Sequence, residues 1–221
     1  MKTLFYILVY LLISLNLYSS DCICFYAPID LDKNICRKFI YLMEKYNIFC
    51  DMREIKKKEV LTANSSIVYI AGMGHYNGIF LSFDYDNLSD DNLILYRDLA
   101  LLPVDILIID ACYAGYIFDY PSNIPLIITS TYKENSWNII NKEGLNISSF
   151  IEAWLCILDD NYKCKTYYCK DNKLKECQLN IIIEAIQNEW KNFRGGFVYW
   201  EYPSVGVMTT NKDIYIHSGG R

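Results

Sequence analysis

The segment Val104–Asp105–Ile106–Leu107–Ile108–Ile109 constrains the fold more than any other part of the chain. It is apolar at all but one position and rich in β-branched residues, so it has no face to offer water. A strand of that kind must be covered on both sides, which is the situation of strands in parallel sheets. Two further runs have the same character: Ile67–Ala71, which ends at Gly72, and Pro125–Thr129. Ile23–Tyr26 is a shorter strand candidate. Between these runs lie segments of helical spacing. Asp32 to Tyr46 carries Ile35, Phe39, Ile40, Leu42 and Met43 on one side. Leu93 to Leu102 reads as a helix stopped by Pro103, and further helices are expected at Ser148–Leu158 and Leu179–Trp190. Late strands are expected at Gly196–Tyr199 and Ile214–Ile216. This alternation predicts an α/β layered sandwich with a mostly parallel sheet. At 221 residues the chain suits one domain, expected over 23–221, with no internal repeat or linker. The polar stretch Asn161–Lys175, with two cysteines, is the expected excursion from the core.

The N-terminal segment points to a compartment. Lys2 precedes an apolar run from Leu4 to Leu17, followed by Ser19–Ser20–Asp21–Cys22. A charged start, a short apolar stretch and small residues have the form of a secretory signal peptide, expected over residues 1–22 with cleavage before Ile23. Cleavage after Ser20 is the rival, and a membrane anchor is the other reading of the same run, although it is short for a span of ~20 residues. Asn64–Ser65–Ser66, Asn87–Leu88–Ser89 and Asn146–Ile147–Ser148 are acceptor triplets for glycans in an exported, luminal chain. The formal charge is −5, from 21 basic and 26 acidic residues without a basic cluster. The electrostatic footprint of a nucleic-acid partner is therefore missing.

Nine cysteines are present. Cys22, Cys24, Cys36, Cys50, Cys156, Cys164, Cys169 and Cys177 can form up to four disulfides in an oxidising lumen. Their spacings do not match paired C-x2-C zinc knuckles. Cys112 stands apart in the middle of the chain, directly after the strongest strand. Its bland reading is packing, since cysteine is among the most buried residue types. Its other reading is chemical. In an open α/β sheet, reactive groups gather at the carboxyl ends of strands. One such end leads into Gly72–Met73–Gly74–His75–Tyr76–Asn77–Gly78 and another into Asp110–Ala111–Cys112–Tyr113. Cys112 would be the nucleophile, and His75 would take its proton and return one to a leaving amine. Backbone N–H groups nearby would hold the oxyanion. The chain's other histidine, His217, sits beside Ser218–Gly219–Gly220 and reads as an ordinary residue.

Val68–Tyr69–Ile70–Ala71–Gly72–Met73–Gly74–His75, followed by Ile108–Ile109–Asp110–Ala111–Cys112, resembles the caspase-like cysteine peptidases, nearest to the branch of legumains and the GPI-anchor transamidase catalytic subunit. That branch has a signal peptide, a Gly-His-Gly turn near an Asn-Gly, and Asp/Glu-x-Cys at the end of an apolar strand. Tyr120–Ile124, Ile128–Ser136 and Ser148–Phe150 extend the likeness, which covers roughly residues 23–160. The resemblance implies a caspase-like three-layer α/β/α sandwich and a luminal transamidase or peptidase in the endoplasmic reticulum. It implies Cys112 and His75 as the dyad and no metal or organic cofactor. It also implies a proprotein C-terminal signal and a GPI lipid as substrates, with other membrane-embedded subunits as partners. A legumain-like endopeptidase is the alternative. One departure matters: counting from the strand places Met73, not His75, in the histidine slot. A strict register therefore implies a catalytically degenerate scaffold. Because residues i and i+2 of an extended chain share a side, His75 is also expected to face the side that Met73 faces.

Overall fold

The computed structural model describes residues 22–81, 92–131, 138–140, 146–162 and four short strands at 168–169, 193–194, 206–209 and 215–216. Its centre is a six-stranded sheet. β1 (Cys22–Tyr26), β2 (Cys50–Glu54), β3 (Ile67–Ala71), β7 (Ile106–Asp110) and β8 (Leu126–Thr129) are parallel, and β13 (Gly206–Thr209) closes one edge antiparallel to β8. The spatial order is β2-β1-β3-β7-β8-β13. Strand order reverses between β1 and β3, the place where open α/β sheets build their crevices.

The expected apolar runs are these central strands, and the reason is visible in their alternation. Tyr69, Ile106 and Ile108 pack with α1 (Asp30–Glu44) and α4 (Ser149–Leu158) on one face. Val68, Ile70, Leu107 and Ile109 pack on the other with Val60 of α2 (Lys57–Leu61), with Tyr96 and Leu99 of α3 (Tyr96–Leu99), and with Ala114 and Ile117. Both faces are dry, so the period-2 pattern of a half-exposed strand is absent. The α/β class and the parallel sheet expected from the sequence are thus present.

Two disulfides tie the N-terminal strand down. Cys22 pairs with Cys50, its direct neighbour across the β1–β2 ladder, and Cys24 pairs with Cys36 of α1. Cys156 is also disulfide-bonded, whereas Cys112 keeps its thiol. Cys22 is the first residue of β1, so a signal-peptide boundary after residue 22 would cut the strand and remove half of a disulfide. Cleavage after Ser20, the rival reading, would leave both intact.

Leu93–Leu102 is not one helix. Leu93–Leu95 form β6, which pairs with β5 (Gly78–Phe80), and β5 pairs with β4 (Gly74–His75). Only Tyr96–Leu99 are helical. Backbone pairing to β5 has overridden a locally helical spacing. β2 lacked a strand signal because an edge strand with four exposed residues carries no apolar run. A smaller sheet joins β9 (Asn138–Ile140), β10 (Asn146–Ser148) and β11 (Tyr168–Cys169), the last lying within the expected excursion. β12 (Phe193–Arg194) pairs with β14 (Tyr215–Ile216). The helix at 179–190 and the strand at 196–199 lie outside the described residues, as does Asn87. Asn64 is exposed in the loop before β3. Among the described residues no helix is long and apolar enough to cross a membrane.

The two-sided core makes a specific demand on β7. Leu107→Ala removes a fully buried side chain at the centre of the sheet and is expected to cost about 3–5 kcal/mol. Leu101→Ala, at a position 70% exposed, is expected to stay within about 0.5 kcal/mol of wild type. Urea denaturation of the two variants checks the contrast.

Candidate functional site

The candidate site is assembled at the carboxyl ends of β3 and β7. These strands pair in register from Ile67–Ile106 to Ala71–Asp110, so their ends are level. The Gly72 N–H bonds to the Asp110 carbonyl (3.2 Å) and carries the ladder one step past β3. The chain then folds into the β4–β5 hairpin, in which His75 pairs with Gly78 across a Tyr76–Asn77 turn. The hairpin rests on the Cys112 turn through Gly74. A Cβ at this position would overlap the Cys112 carbonyl oxygen and lie 2.7 Å from its carbonyl carbon, so only glycine permits the approach.

Gly74 faces Cys112, and its neighbours face elsewhere, as alternation along an extended chain requires. Met73 packs against the small cluster of Phe80, Leu93 and Leu95. The His75 ring lies 5.8 Å from the Phe80 ring and 3.7 Å from that of Tyr76. Met73 and His75 therefore share a side, as expected, with Met73 in the apolar cluster and His75 partly exposed beside it. The Asn77 N–H donates to His75 Nδ1 at 3.4 Å. This contact assigns the neutral ring's proton to Nε2. Partial burial lowers the His75 pKa below its ordinary value, so the ring is neutral at pH ~7. At 3.4 Å the bond is long and cheaply given up, and releasing it frees Nδ1 to accept a proton.

Cys112 occupies a sharp strand-to-helix turn and is half-buried. Tyr113, next in the chain, has φ 54°, a left-handed conformation uncommon for a bulky residue, and leads directly into a 3-10 helix at Ala114–Asp119. Hydroxyls beyond β8 staple this turn. Ser130 Oγ accepts the Ala111 N–H (3.0 Å), and Thr131 Oγ1 accepts the Ala114 N–H (3.1 Å) while lying 3.1 Å from the Ala111 carbonyl. The Tyr96 hydroxyl donates to the Cys112 carbonyl (3.3 Å). Ser130 and Thr131 fall in the stretch that extends the resemblance, without this role being expected of them, and Tyr96 had no distinguishing signal in the sequence.

Beneath the turn lies a buried polar network, also unforeseen. Asp110 accepts hydrogen bonds from Tyr69 (2.9 Å) and from Ser148 (2.6 Å). Ser148 is the N-cap residue of α4 but makes no capping bond, its hydroxyl being spent on Asp110. Burial raises the Asp110 pKa, and the Ser148, Tyr69 and Ser130 hydroxyls oppose that rise. Asp32, in the first turn of α1, is 5% exposed, and its Oδ2 has no hydrogen-bond partner among the described residues. Burial, reinforced by the Asp110 charge, pushes its pKa up to about 7. The sequence hint was slight: an acidic residue at the end of an apolar strand and another where a helix begins.

Among the described residues no group of three His, Cys, Asp or Glu side chains could hold a metal ion. His217 lies outside the described residues. No family model, curated protein or solved structure matches the chain.

Two outcomes follow from this geometry. Gly74→Ala is expected to destabilise the protein by about 1–3 kcal/mol because backbone must move. Gly72→Ala, whose Cβ would meet only the Ile79 side chain at 3.2 Å, should cost less, and urea melts of both variants make the comparison. Asp32 supplies a pH dependence. Its folded-state pKa lies above its ordinary value, so the stability it confers is complete below pH ~4 and is lost as pH rises through about 7. The loss is on the order of 4 kcal/mol by neutral-to-alkaline pH. Asp32→Asn should flatten that dependence in denaturation curves taken from pH ~4 to pH ~8; parallel curves for variant and wild type would show that Asp32 does not titrate this way.

Proposed function

We propose that the chain is a luminal cysteine peptidase or transamidase with a caspase-like three-layer α/β/α sandwich, most specifically the catalytic subunit of a GPI-anchor transamidase. The observation that supports this reading is the packing of the His75 hairpin, through Gly74, onto the turn that carries Cys112. Both elements grow from adjacent parallel strands at the edge of the sheet where such folds place their chemistry.

Cys112 Sγ attacks the carbonyl carbon at the attachment site of a proprotein, and its proton passes to His75. The amide C–N bond breaks, His75 gives the proton to the departing amine of the C-terminal signal, and a thioester remains on Cys112. The amine of the GPI anchor's ethanolamine phosphate then attacks the thioester. Its proton passes through His75 to the Cys112 sulfur, which leaves as a thiol. Acting as base requires His75 to give up the Asn77 N–H contact at Nδ1 and its imidazole to swing from the side it shares with Met73 toward Cys112. The lowered pKa of the ring favours the neutral form that this step uses. Other membrane-embedded subunits would present both substrates. A legumain-like endopeptidase would run the same first half, with water in place of the amine.

One observation favours a second reading. Met73 occupies the histidine slot and packs with Phe80, Leu93 and Leu95, while His75 Nδ1 is engaged by its own turn. A catalytically degenerate scaffold subunit would keep this arrangement and lack turnover.

Cys112→Ala and His75→Ala separate these readings in an assay that follows a reporter proprotein to its anchored form. Cys112→Ala is expected to abolish anchoring while the variant folds and is exported like wild type. His75→Ala should lower the rate by a factor on the order of 10² or more. Full anchoring by the Cys112 variant would sink the catalytic reading. A reporter product ending in a free carboxylate, instead of an amide to the anchor, would assign the endopeptidase.

A further inference from the structure

The two halves of the proposed dyad come from different strands, and one residue bonds to both. Tyr96, the first residue of α3, is fully buried. Its backbone N–H donates to the Asn77 carbonyl at 3.0 Å, in the turn of the hairpin that bears His75. Its hydroxyl donates to the Cys112 carbonyl at 3.3 Å. It is held on the hairpin side by β6, whose Leu95 pairs with Gly78. The fit is close there too, since a Cβ at Gly78 would overlap the Ile94 carbonyl oxygen.

We propose that Tyr96 is a positioning residue that sets the placement of the His75 imidazole relative to the Cys112 thiol by bridging the hairpin turn to the nucleophile's own carbonyl. This inference rests on the dyad reading above and adds to it the group that holds the dyad in register. The hydroxyl bond also orients the peptide plane after Cys112. In a trans peptide the C=O and the following N–H point in opposite directions. Drawing the Cys112 carbonyl inward toward Tyr96 and Gly74 therefore turns the Tyr113 N–H outward, on the side away from the core. The left-handed φ of Tyr113 is the backbone conformation that accompanies this orientation. Tyr96 bonds the Cys112 carbonyl and the hairpin turn, so its hold on the imidazole is exerted through the backbone.

The test uses the full chain and the small thiol probe iodoacetamide, with Cys112 alkylation followed by mass spectrometry across pH. Four proteins are compared: wild type, Tyr96→Phe, His75→Ala and the double variant. Tyr96→Phe keeps the ring and removes only the hydroxyl. It is expected to slow Cys112 alkylation at pH ~7 about fivefold to tenfold and to move the midpoint of the pH profile. The profile separates this role from a purely structural one, because a general loosening would expose the thiol and speed alkylation without moving the midpoint. In the His75→Ala background the Tyr96→Phe effect should vanish, since there is no imidazole left to misplace. If Tyr96→Phe matches wild type while His75→Ala does not, the bridging role is overturned and the dyad stands. If His75→Ala itself matches wild type, the dyad reading fails. A Tyr96→Phe effect of full size in the His75→Ala background overturns the inference in the same way, by showing that the hydroxyl acts on Cys112 alone.

Discussion

The in-register ladder between β3 and β7 is the constraint on which the rest of the site depends. Ala71 and Asp110 end their strands side by side, so whatever follows each of them must share a small volume. The chain meets that demand with glycine on one side and a left-handed turn on the other. Gly74 brings the hairpin backbone against the Cys112 carbonyl, and Tyr113 turns the chain away at once into a 3-10 helix. A slip of the ladder by one residue would invert every side chain of β7 between the two cores. The apolar character of both faces therefore fixes the site's position as firmly as any residue within it.

Below that edge the protein departs from a purely apolar core. Asp110 is held by hydroxyls from Tyr69 and Ser148, which belong to a neighbouring strand and to the start of α4. Those bonds explain why α4 begins without a side-chain cap. Asp32 adds a second carboxyl from the first turn of α1, and the pair shares one buried region. Burial first, and the neighbouring Asp110 charge second, make Asp32 hold a proton well above the usual carboxylate range. The hydrogen bonds join β3, β7 and the start of α4 beneath the Cys112 turn, with Asp32 of α1 close enough to feel the Asp110 charge and with Ser130 and Thr131 bracing the turn from beyond β8. A polar scaffold of this kind rigidifies a site when its donors and acceptors are matched, and Asp110 is the member best matched.

Much of this was legible in the sequence, for identifiable reasons. Ile67–Ala71 and Ile106–Ile109 declared themselves because strands covered on both faces must be apolar throughout. Cys112 stood out because it follows such a strand, and it is the cysteine that keeps its thiol among those described. The common side of Met73 and His75 followed from strand geometry. Other features had no local signature. β2 is an exposed edge strand, and the Leu93–Leu95 segment takes its conformation from a partner strand 13 residues or more earlier in the chain. The burial of Asp32, the carbonyl held by Tyr96 and the hydroxyls of Ser130 and Thr131 arise only when distant segments meet. The pairing of Cys22 with Cys50 across the β1–β2 ladder is likewise a contact between distant segments.

The central claim is that Cys112 is a nucleophile served by His75. Its most direct measurement is covalent trapping: the full chain is incubated at neutral pH with a peptide bearing a C-terminal aldehyde or chloromethyl ketone, and the modified residue is located by mass spectrometry. The account predicts one adduct, on Cys112, formed much more slowly when His75 is replaced by alanine. An unmodified Cys112, or an adduct whose rate is indifferent to His75, would contradict it.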